Sequence, residues 1–409
     1  MKIGYVLLDG CADRPDPRLN YTTPLEAACT PNLDEMASRS RLGTVTTVGR
    51  GIAPESDIAV FNMLGYSFKT GYPGRGVVEA VGAGVRFEDG DLALRANFAF
   101  ARGAKIIDRR AGRDLSQREA KELERVVNEV RLDGADFVFR STVGYRGVLV
   151  VRAGGGLSSA VSNTDPAYAR VGGFGAARAV RSGDKVARCE PENDDPKAKR
   201  SAQLVNEFTE RAAKRLSGAE TNSERVREGK MPANCVLLRD AGDHLPTVRS
   251  FRDKYGLDGT ALVEMPAEVG IARLLGMRMV RTDEKRSMTE KAKTFLSELR
   301  DGRMVYAHLK GPDEFGHDGD VVGKTRCIES IDRDFFSSLT GIGDATLGVS
   351  CDHATPCSIK MHSDDPVPLL VSGGARDSAR FTEERARGGS LGHLAGADVL
   401  GVVLRRRTS

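Results

Sequence analysis

Apolar runs at both ends of the chain alternate with segments of helical periodicity. The run Lys2–Leu8 predicts a strand, and so do the later runs MVYAHL, ATLGVSC and VPLLVSG. Between the first two of these later runs, Ile328, Ile331 and Phe335 fall on one face of a predicted helix. Strands that alternate with helices predict a parallel, doubly wound sheet.

The middle of the chain has a different pattern. Short runs such as LALRANFAF, DFVFR and GVLVVRA alternate apolar and polar positions, which predicts an antiparallel or mixed sheet. Leu204, Phe208, Ala212 and Leu216 recur four apart and predict one long helix. The polar stretches EPENDDPKAKR and AETNSERVREGK on either side of it are interpreted as exposed loops.

These patterns predict an α/β fold with two domains. Residues 1–80 and 259–409 are predicted to form a discontinuous domain with a doubly wound, mostly parallel sheet. Residues 81–258 are predicted to form a smaller inserted α/β (α+β) domain. A length of 409 residues suits about two domains.

Composition and charge argue against several classes of protein. Hydrophobic residues make up 40% of the chain and charged residues 29%, which is typical of globular proteins. A net charge of +4 predicts no nucleic-acid partner, and no apolar run approaches the ~20 residues of a membrane span. The seven cysteines are dispersed without a CxxC pair, as in reduced proteins. We therefore expect a cytoplasmic protein, and the sequence leaves its oligomeric state open.

Seven residues in four stretches carry the candidate chemistry. Each stretch follows a strand-like run, so loops at the carboxyl ends of neighbouring strands can bring them together. Carboxylates and neutral imidazoles are ligands for divalent Mn, Zn, Fe or Co, and three of the six histidines belong to the set. Together they predict a two-metal site for phosphoryl transfer, although each residue alone could have an ordinary role. The set is Asp9, Ser56, Asp313, His317, Asp352, His353 and His362.

Ser56 is the candidate nucleophile of this set. A serine hydroxyl attacks poorly at neutral pH unless a base or a metal ion lowers its pKa. Ser56 begins a predicted helix, whose N-terminus favours phosphoryl oxygens. It could also serve as the N-cap of that helix, and the two roles are compatible. Cys351 and Cys357 flank Asp352 and His353, so a thiolate could be a further metal ligand. Packing in the core is the preferred interpretation, because the site already has enough oxygen and nitrogen ligands.

Arginines beside glycine or in short clusters predict a site for a small, doubly anionic substrate. Guanidinium groups bind carboxylate and phosphate through two parallel hydrogen bonds. The chain contains no GxxxxGK[ST] motif and no complete GxGxxG motif, so no nucleotide cofactor is expected. The candidates are Arg75, Arg109, Arg110, Arg113, Arg146 and Arg239.

Several motifs, taken in order, resemble a known family. They are YVLLDGCADRP, SDIAVFNMLGY, GRGVVEAVGAG, DRRAGR, GPDEFGHDGD and CDHATPCSIKMHSDDPVPLLVSGG. The chain resembles the archaeal-type 2,3-bisphosphoglycerate-independent (cofactor-independent) phosphoglycerate mutases of the alkaline phosphatase superfamily, over nearly its whole length. The resemblance implies an isomerase, an intramolecular phosphotransferase of glycolysis and gluconeogenesis. Such an enzyme interconverts 3-phosphoglycerate and 2-phosphoglycerate through a phosphoserine, without bisphosphoglycerate.

The resemblance also implies roles for individual residues. Ser56 would take the phosphoryl group beside two divalent ions, with manganese favoured and zinc, cobalt or magnesium as alternatives. One ion would be held by Asp9, Ser56, Asp352 and His353, and the other by Asp313, His317 and His362. The inserted domain would bind substrate. Its substrate-orienting residues would be Arg110, Arg113, Arg146, Asp165 and Arg239, with Arg75 just before the domain.

Two positions depart from the pattern of the family. Glu55 stands where the family usually has glycine, which places a negative charge beside Ser56, and Tyr145 stands where histidine is common. The same metals and serine would also serve a metal-dependent phosphatase or a homoserine kinase-like phosphotransferase. The arginines favour a small bis-anionic acid and therefore the mutase. A non-catalytic scaffold is a further alternative, against which the complete set of metal-site residues argues.

Overall fold

The computed structural model describes residues 2–171, 176–179, 183–282, 286–300, 302–373, 376–377 and 379–405. Strands alternate with helices at both ends of the chain, and longer antiparallel pairings fill its middle. In chain order the strands are β1 (Lys2–Leu8), β2 (Ser40–Thr46), β3 (Leu92–Arg102), β4 (Lys105–Asp108), β5 (Asp136–Ser141), β6 (Arg146–Arg152), β7 (Tyr168–Val171), β8 (Ala176–Ala179), β9 (Cys235–Gly242), β10 (Asp258–Val263), β11 (Arg278–Arg281), β12 (Arg303–Leu309), β13 (Thr346–Cys351), β14 (Val367–Ser372) and β15 (Gly392–Ala395).

The helices differ widely in length. In the described part of the chain, every helix is too short or too polar to cross a membrane. Short 3-10 turns cover Pro17–Leu19, Ala111–Arg113 and Phe336–Leu339. The α-helices are α1 (Pro24–Ala27), α2 (Pro31–Ser38), α3 (Ser56–Met63), α4 (Phe68–Gly71), α5 (Arg75–Gly82), α6 (Gln117–Asn128), α7 (Pro196–Ser217), α8 (Glu220–Arg227), α9 (Phe251–Tyr255), α10 (Pro266–Leu274), α11 (Met288–Glu298), α12 (Pro312–Asp318), α13 (Val321–Asp334), α14 (Glu383–Arg387) and α15 (Gly396–Leu404).

The chain divides into two compact units, and the first contains a large sheet. This unit consists of Met1–Tyr72, Val248–Glu264 and Leu275–Ser409, with strand order β11-β10-β12-β1-β13-β14-β2-β15. Neighbouring strands are parallel, except that β14 runs antiparallel to β13 and β2. Strands β1, β12 and β13 are buried along most of their length, as expected for parallel strands covered on both faces. The predicted α/β fold with a mostly parallel sheet is confirmed.

The second unit is built on an antiparallel sheet. It consists of Pro73–Thr247 and Met265–Leu274, and its central strand β3 pairs with β4, β6 and β9, while β5 pairs with β6. The long helix α7 packs on this sheet through Phe208, whose ring centroid lies 5.1 Å from that of Phe137 and 6.3 Å from that of Phe139. The helix and the antiparallel strands predicted for the middle of the chain are both present.

The bounds of the compact units differ from the predicted domain bounds. Residues 73–80 and 265–274 belong to the second unit, and residues 248–258 belong to the first. The reason is close packing of α5 on α10, since an added Cβ at Gly82 or Gly270 would lie 1.8 Å or 1.9 Å from a backbone carbonyl oxygen of the other helix. The division into a metal-binding and a substrate-binding domain stays a proposal.

One predicted loop is largely a helix. The stretch AETNSERVREGK, predicted to be exposed, forms α8, and its residues Asn222 and Arg225 are buried. The Asn222 side chain donates to the Leu216 carbonyl, and Arg225 pairs with Glu119 and Asp114. Polar side chains can be buried when their hydrogen bonds are satisfied, and composition alone does not reveal this. The last residues of EPENDDPKAKR likewise begin α7.

Candidate metal centre

The candidate site lies in the first unit, at the carboxyl ends of three adjacent parallel strands. Leu8 at the end of β1 pairs with Leu309 of β12 and Cys351 of β13. The residue after each of these strand ends is polar, and parallel pairing places the three at the same edge of the sheet. They are Asp9, Lys310 and Asp352.

Asp352 is buried and its carboxylate is fixed by the backbone. Oδ1 accepts hydrogen bonds from the N–H groups of Gly10 and His353, each 3.0 Å long. Gly10 has a φ of +58°, and an added Cβ would lie 2.5 Å from Asp313 Oδ1 and 2.6 Å from Thr355 Oγ1. Glycine is therefore required at this point of the loop. The other carboxylate oxygen of Asp352 faces the imidazoles of the site.

Three imidazoles present the same ring nitrogen to the site. In each of them Nδ1 lies near an oxygen atom that accepts its proton, so the neutral ring has its lone pair on Nε2. Histidines that bind metal ions typically have this arrangement. The Nδ1 contacts are His317 with the Lys360 carbonyl (3.1 Å), His353 with the Thr355 hydroxyl (3.1 Å) and His362 with the Pro54 carbonyl (2.7 Å).

The hydroxyl of Thr355 connects two of the candidate ligands. Its Oγ1 lies 2.6 Å from Asp313 Oδ1 and 3.1 Å from His353 Nδ1. A carboxylate only accepts hydrogen bonds, so the single hydroxyl proton goes to Asp313, and the Thr355 oxygen accepts from His353. This contact fixes the tautomer of His353.

The first set of candidate ligands surrounds Ser56. His353 Nε2 lies 3.5 Å from Asp9 Oδ1 and 3.3 Å from Asp352 Oδ2. Ser56 Oγ lies 3.1 Å from His353 Nε2 and 3.3 Å from Asp9 Oδ1. Glu55 is the N-cap of α3 and Ser56 is its first residue, so the N-cap alternative for Ser56 is wrong. The N-terminal end of the helix adds partial positive charge beside the hydroxyl.

The second set lies on α12 and on the segment after β13. Asp313 and His317 are four residues apart on one helix face, with His317 Nε2 3.5 Å from Asp313 Oδ2. His362 Nε2 lies 3.4 Å from Asp313 Oδ1 and 3.2 Å from His317 Nε2. The stacked rings of His353 and His362, with centroids 3.9 Å apart, join the two sets. All seven predicted residues are thus brought together, and their oxygen and nitrogen donors fit divalent ions such as Mn or Zn.

His308 and Lys310 also belong to this centre, although the predicted set does not contain them. His308 Nε2 lies 3.2 Å from Asp352 Oδ2 and 3.7 Å from Asp9 Oδ1. Lys310 Nζ lies 3.1 Å from His308 Nδ1 and 3.1 Å from Asp9 Oδ2. In the sequence, His308 could have been identified as the one polar residue near the end of the otherwise apolar run MVYAHL.

His308 differs from the other imidazoles in its tautomer. The Lys310 ammonium donates to Nδ1, so neutral His308 carries its proton on Nε2, which lies 3.2 Å from Asp352 Oδ2. Burial and Lys310 lower the pKa of His308, but Asp352 and Asp9 raise it to about 9. In both protonation states Nε2 carries a proton. We therefore interpret His308 as a residue that orients Asp352 rather than as a ligand.

Burial and neighbouring charges set the protonation of the centre. Burial would raise the pKa values of Asp352 and Asp313, but adjacent imidazoles hold both well below the usual range. Burial lowers the pKa of His353, so its ring is neutral near neutral pH. Burial also lowers the pKa of His362, but the hydrogen bond to Asp313 and the charge of Glu55 raise it to about 9. A metal ion must therefore displace a proton from His362.

A buried ion pair supports the loops that carry these residues. Lys324 on α13 is fully buried, and its Nζ lies 2.8 Å from Asp13 Oδ2. It also donates to the carbonyls of Ala12 (3.3 Å) and Thr355 (2.9 Å). The ion pair ties the loop after β1 to the loop after β13.

The predicted packing role of Cys357 agrees with its protonation state. Burial and Asp13 raise the pKa of the Cys357 thiol to about 12, so this thiol stays protonated.

The predicted substrate residues lie in the second unit. Arg109 forms an ion pair with the buried Asp165, and Arg146 lies over the ring of Tyr145 with its Cζ 5.2 Å from the centroid. Arg110 and Arg113 stand at either end of a 3-10 turn, and Arg113 is exposed. Ala111 and Arg113 have φ values of +44° and +61°, which strains the turn. Arg225 holds this turn by a 3.2 Å hydrogen bond to the Ala111 carbonyl.

A buried network connects two of the predicted arginines. Glu79 Oε1 lies 3.0 Å from Arg75 Nε and 2.8 Å from Arg95 Nε, and Asp240 Oδ2 lies 3.7 Å from an Arg95 nitrogen and 3.8 Å from an Arg239 nitrogen. Burial would raise the pKa of Glu79, but Arg95 and Arg75 hold it below its ordinary value. A charged residue within the apolar strand LALRANFAF was the signal that could have identified Arg95.

Comparison with known proteins gives the family. Residues 37–222 match the family model described as 2,3-bisphosphoglycerate-independent phosphoglycerate mutase. A relative of that name from Aeropyrum pernix is 42% identical over 97% of this chain and 97% of its own. Another from Methanopyrus kandleri is 37% identical over 98% of this chain and 95% of its own. The chain belongs to the 2,3-bisphosphoglycerate-independent phosphoglycerate mutase family.

Solved structures support this assignment. A protein from Pyrococcus horikoshii is similar with a TM-score of 0.80 and 28% identity, over 100% of this chain and 99% of its own. The cofactor-independent phosphoglycerate mutase from Thermoplasma acidophilum is similar with a TM-score of 0.66 and 32% identity, over 99% of both chains. The mutase family is one of isomerases, so the resemblance and the enzyme class inferred from the sequence are confirmed.

Proposed function

We propose that this protein interconverts 3-phosphoglycerate and 2-phosphoglycerate through a phosphoserine at Ser56, without 2,3-bisphosphoglycerate, as a step of glycolysis and gluconeogenesis. The observation that carries the proposal is the convergence of Ser56 with carboxylates and with the Nε2 atoms of three imidazoles. A hydroxyl surrounded by such donors suits phosphoryl transfer assisted by divalent ions.

The proposed ligands follow the two sets of contacts. Asp9, Ser56, Asp352 and His353 would hold one ion, and Asp313, His317 and His362 the other, with manganese favoured. Bound ions would lower the pKa of the Ser56 hydroxyl and neutralise phosphoryl oxygens. The backbone N–H groups of Gly10 and His353 orient the Asp352 carboxylate, and the Thr355 hydroxyl orients the His353 ring. The ligand atoms are therefore held in place by the protein itself.

Positively charged groups beside Ser56 would stabilise the negative charge of the phosphoryl oxygens. Lys310 lies 3.1 Å from Asp9, and the N-terminus of α3 contributes partial positive charge. Such groups stabilise the charge that develops on phosphoryl oxygens in the transition state. The arginines proposed for the substrate carboxylate and phosphate are Arg75, Arg110, Arg113, Arg146 and Arg239, with Asp165 as an acceptor for the glycerate hydroxyl.

The proposed reaction has two transfers. The Ser56 hydroxyl loses its proton and its oxygen attacks phosphorus. The bond from phosphorus to the 3-oxygen of the glycerate breaks, and that oxygen takes up a proton. The bound glycerate then presents its 2-hydroxyl, which loses a proton and attacks the phosphorus of the phosphoserine. The bond from phosphorus to the Ser56 oxygen breaks, and that oxygen takes up a proton. His353 Nε2, a proposed ligand of the same ion as Ser56, lies 3.1 Å from Ser56 Oγ.

The test is an assay for 2-phosphoglycerate formed from 3-phosphoglycerate. Protein stripped with a chelator is expected to be inactive, and added Mn is expected to restore turnover. His317→Ala should lose bound metal and activity, whereas His244→Ala, a change at an exposed histidine of the second unit, should retain both. Release of inorganic phosphate in place of 2-phosphoglycerate would indicate a phosphatase. Transfer from a nucleotide to homoserine would indicate the kinase-like alternative, and full activity without metal would contradict the proposal.

A further inference from the structure

Asp240 occupies a bulge in β9. Between Ala93 and Arg95 of β3 the pairing partner in β9 moves from Gly242 to Arg239, so β9 has one extra residue there. Asp240 has a φ of +60°, a conformation that glycine adopts freely and that strains other residues. Bulges with this conformation usually have glycine at that position. The aspartate side chain is therefore present despite a backbone cost.

The Asp240 carboxylate is buried against arginine. Its side chain is 2% exposed, and Oδ2 lies 3.7 Å from Arg95 Nη1 and 3.8 Å from Arg239 Nη1. The backbone N–H of Asp240 donates to Asn163 Oδ1 over 3.1 Å, which holds the bulge. Arg239 also stacks on the ring of Tyr168, with Cζ 3.7 Å from the ring centroid. The guanidinium is thus held by a carboxylate and by an aromatic ring.

Two arginines of this network share the Asp240 carboxylate. Arg95 lies 2.8 Å from Glu79, closer than its 3.7 Å contact with Asp240, so Glu79 is its main counter-ion. Asp240 is thus a second, more distant partner of Arg95, and it also contacts Arg239. The three arginines Arg75, Arg95 and Arg239 contact the two carboxylates of this network, Glu79 and Asp240.

We propose that Asp240 is a positioning residue that fixes the Arg239 guanidinium for an anionic group of the substrate, an inference that rests on the proposed function. Strain kept at a buried position points to a role beyond stability. An arginine held in place before binding loses less side-chain freedom when the substrate arrives. The expected effect is therefore on substrate binding and not on the chemical step.

Two substitutions separate the charge of Asp240 from its backbone conformation. Asp240→Asn keeps the size of the side chain and tolerates positive φ, whereas Asp240→Gly removes both the side chain and the strain. Each is expected to raise KM for 3-phosphoglycerate on the order of tenfold, with kcat within about twofold of wild type and metal content unchanged. Asn20→Gly, at an exposed position with a φ of +54°, is the matched control and should leave KM unchanged.

A double-mutant cycle tests whether Asp240 acts through Arg239. Arg239→Lys alone should raise KM, and adding Asp240→Asn should then change KM by less than about twofold. The inference would be overturned if the fold-increases in KM of the two single variants multiplied in the double variant, or if both Asp240 variants had an unchanged KM. Asp240 would then be a structural residue. Wild-type protein that forms no 2-phosphoglycerate would instead contradict the proposed function, so the two failures are distinguishable.

Discussion

The hydroxyl of Thr355 donates a 2.6 Å hydrogen bond to the carboxylate of Asp313. The same oxygen accepts from Nδ1 of His353, so one side chain orients a proposed ligand of each metal ion. Thr355 is completely buried, and the hydroxyl is therefore shielded from competing water. This hydroxyl therefore connects the two sets of proposed ligands.

Replacing Thr355 tests this connection. Thr355→Val has nearly the same shape and lacks the hydroxyl, so it should lower metal affinity on the order of 10- to 100-fold. Titration of the metal-free protein with Mn measures the effect directly. Thr355→Ser keeps the hydroxyl and should bind metal nearly as well as wild type. Equal metal affinity in the valine and serine variants would show that the hydroxyl does not orient the ligands.

His308 and His317 should respond differently to the same substitution. Glutamine places an N–H group near the position of Nε2, so His308→Gln keeps a proton facing Asp352 and should change metal affinity only a few-fold. His317→Gln replaces the imidazole lone pair and should weaken metal binding far more, since neutral imidazole is a preferred ligand. Metal content after dialysis compares the two variants. A larger loss in His308→Gln would make His308 a ligand.

The buried pair of Lys324 and Asp13 should be important for stability. Lys324→Met fills a similar space but leaves the Asp13 carboxylate buried without its ammonium partner. Removal of one member of a buried ion pair costs about 3 to 5 kcal/mol in the free energy of unfolding. Urea unfolding of the metal-free protein measures this cost. Lys360→Met, a change at an exposed lysine, is the control, and equal stability of the two variants would contradict the assignment.

The stability of the protein should depend on pH through Glu383. Burial raises the pKa of Glu383 to about 7, although hydrogen bonds from Thr23 and from the N–H of Asp13 oppose the increase. Because the folded-state pKa lies above the unfolded value of about 4.3, protonation favours the folded state. This contribution is fully present below pH ~4.3 and is lost as the pH rises through about 7.

A glutamine variant isolates this effect. Glu383→Gln resembles the protonated carboxyl, so the difference in unfolding free energy between variant and wild type should increase between pH ~4.3 and 8 in favour of the variant. The change should be roughly 3 kcal/mol. Thermal or urea unfolding at several pH values measures it. A difference that stays constant with pH would show that Glu383 titrates normally.

Local periodicity predicted much of the fold and of the metal centre. Apolar runs predict the strand before Asp9, the helix that begins at Ser56 and the strand before Asp352. Parallel pairing then brings the carboxyl ends of the two strands together. His308 was missed because its only signal in the sequence is a single polar residue near the end of an apolar strand. Its role depends on the register of β1 and β12.

Long-range contacts explain the other features of the structure that the sequence did not predict. Residues 265–274 join the second unit because Gly82 and Gly270 permit close helix packing, which no local pattern encodes. Asp240 acquires its conformation from a bulge that depends on the pairing of β9 with β3. Arg225 is buried because Glu119 and Asp114 pair with it, although its surrounding sequence is polar.

The phosphoserine at Ser56 is the central claim, and it can be measured directly. Metal-loaded protein should be quenched in acid during turnover of 3-phosphoglycerate labelled on phosphorus, and its peptides examined by mass spectrometry. We predict label on the peptide that contains Ser56, no label on the Ser56→Ala protein, and no mutase activity in that variant despite bound metal. Substantial conversion to 2-phosphoglycerate by Ser56→Ala, with no labelled serine in the wild type, would contradict the account.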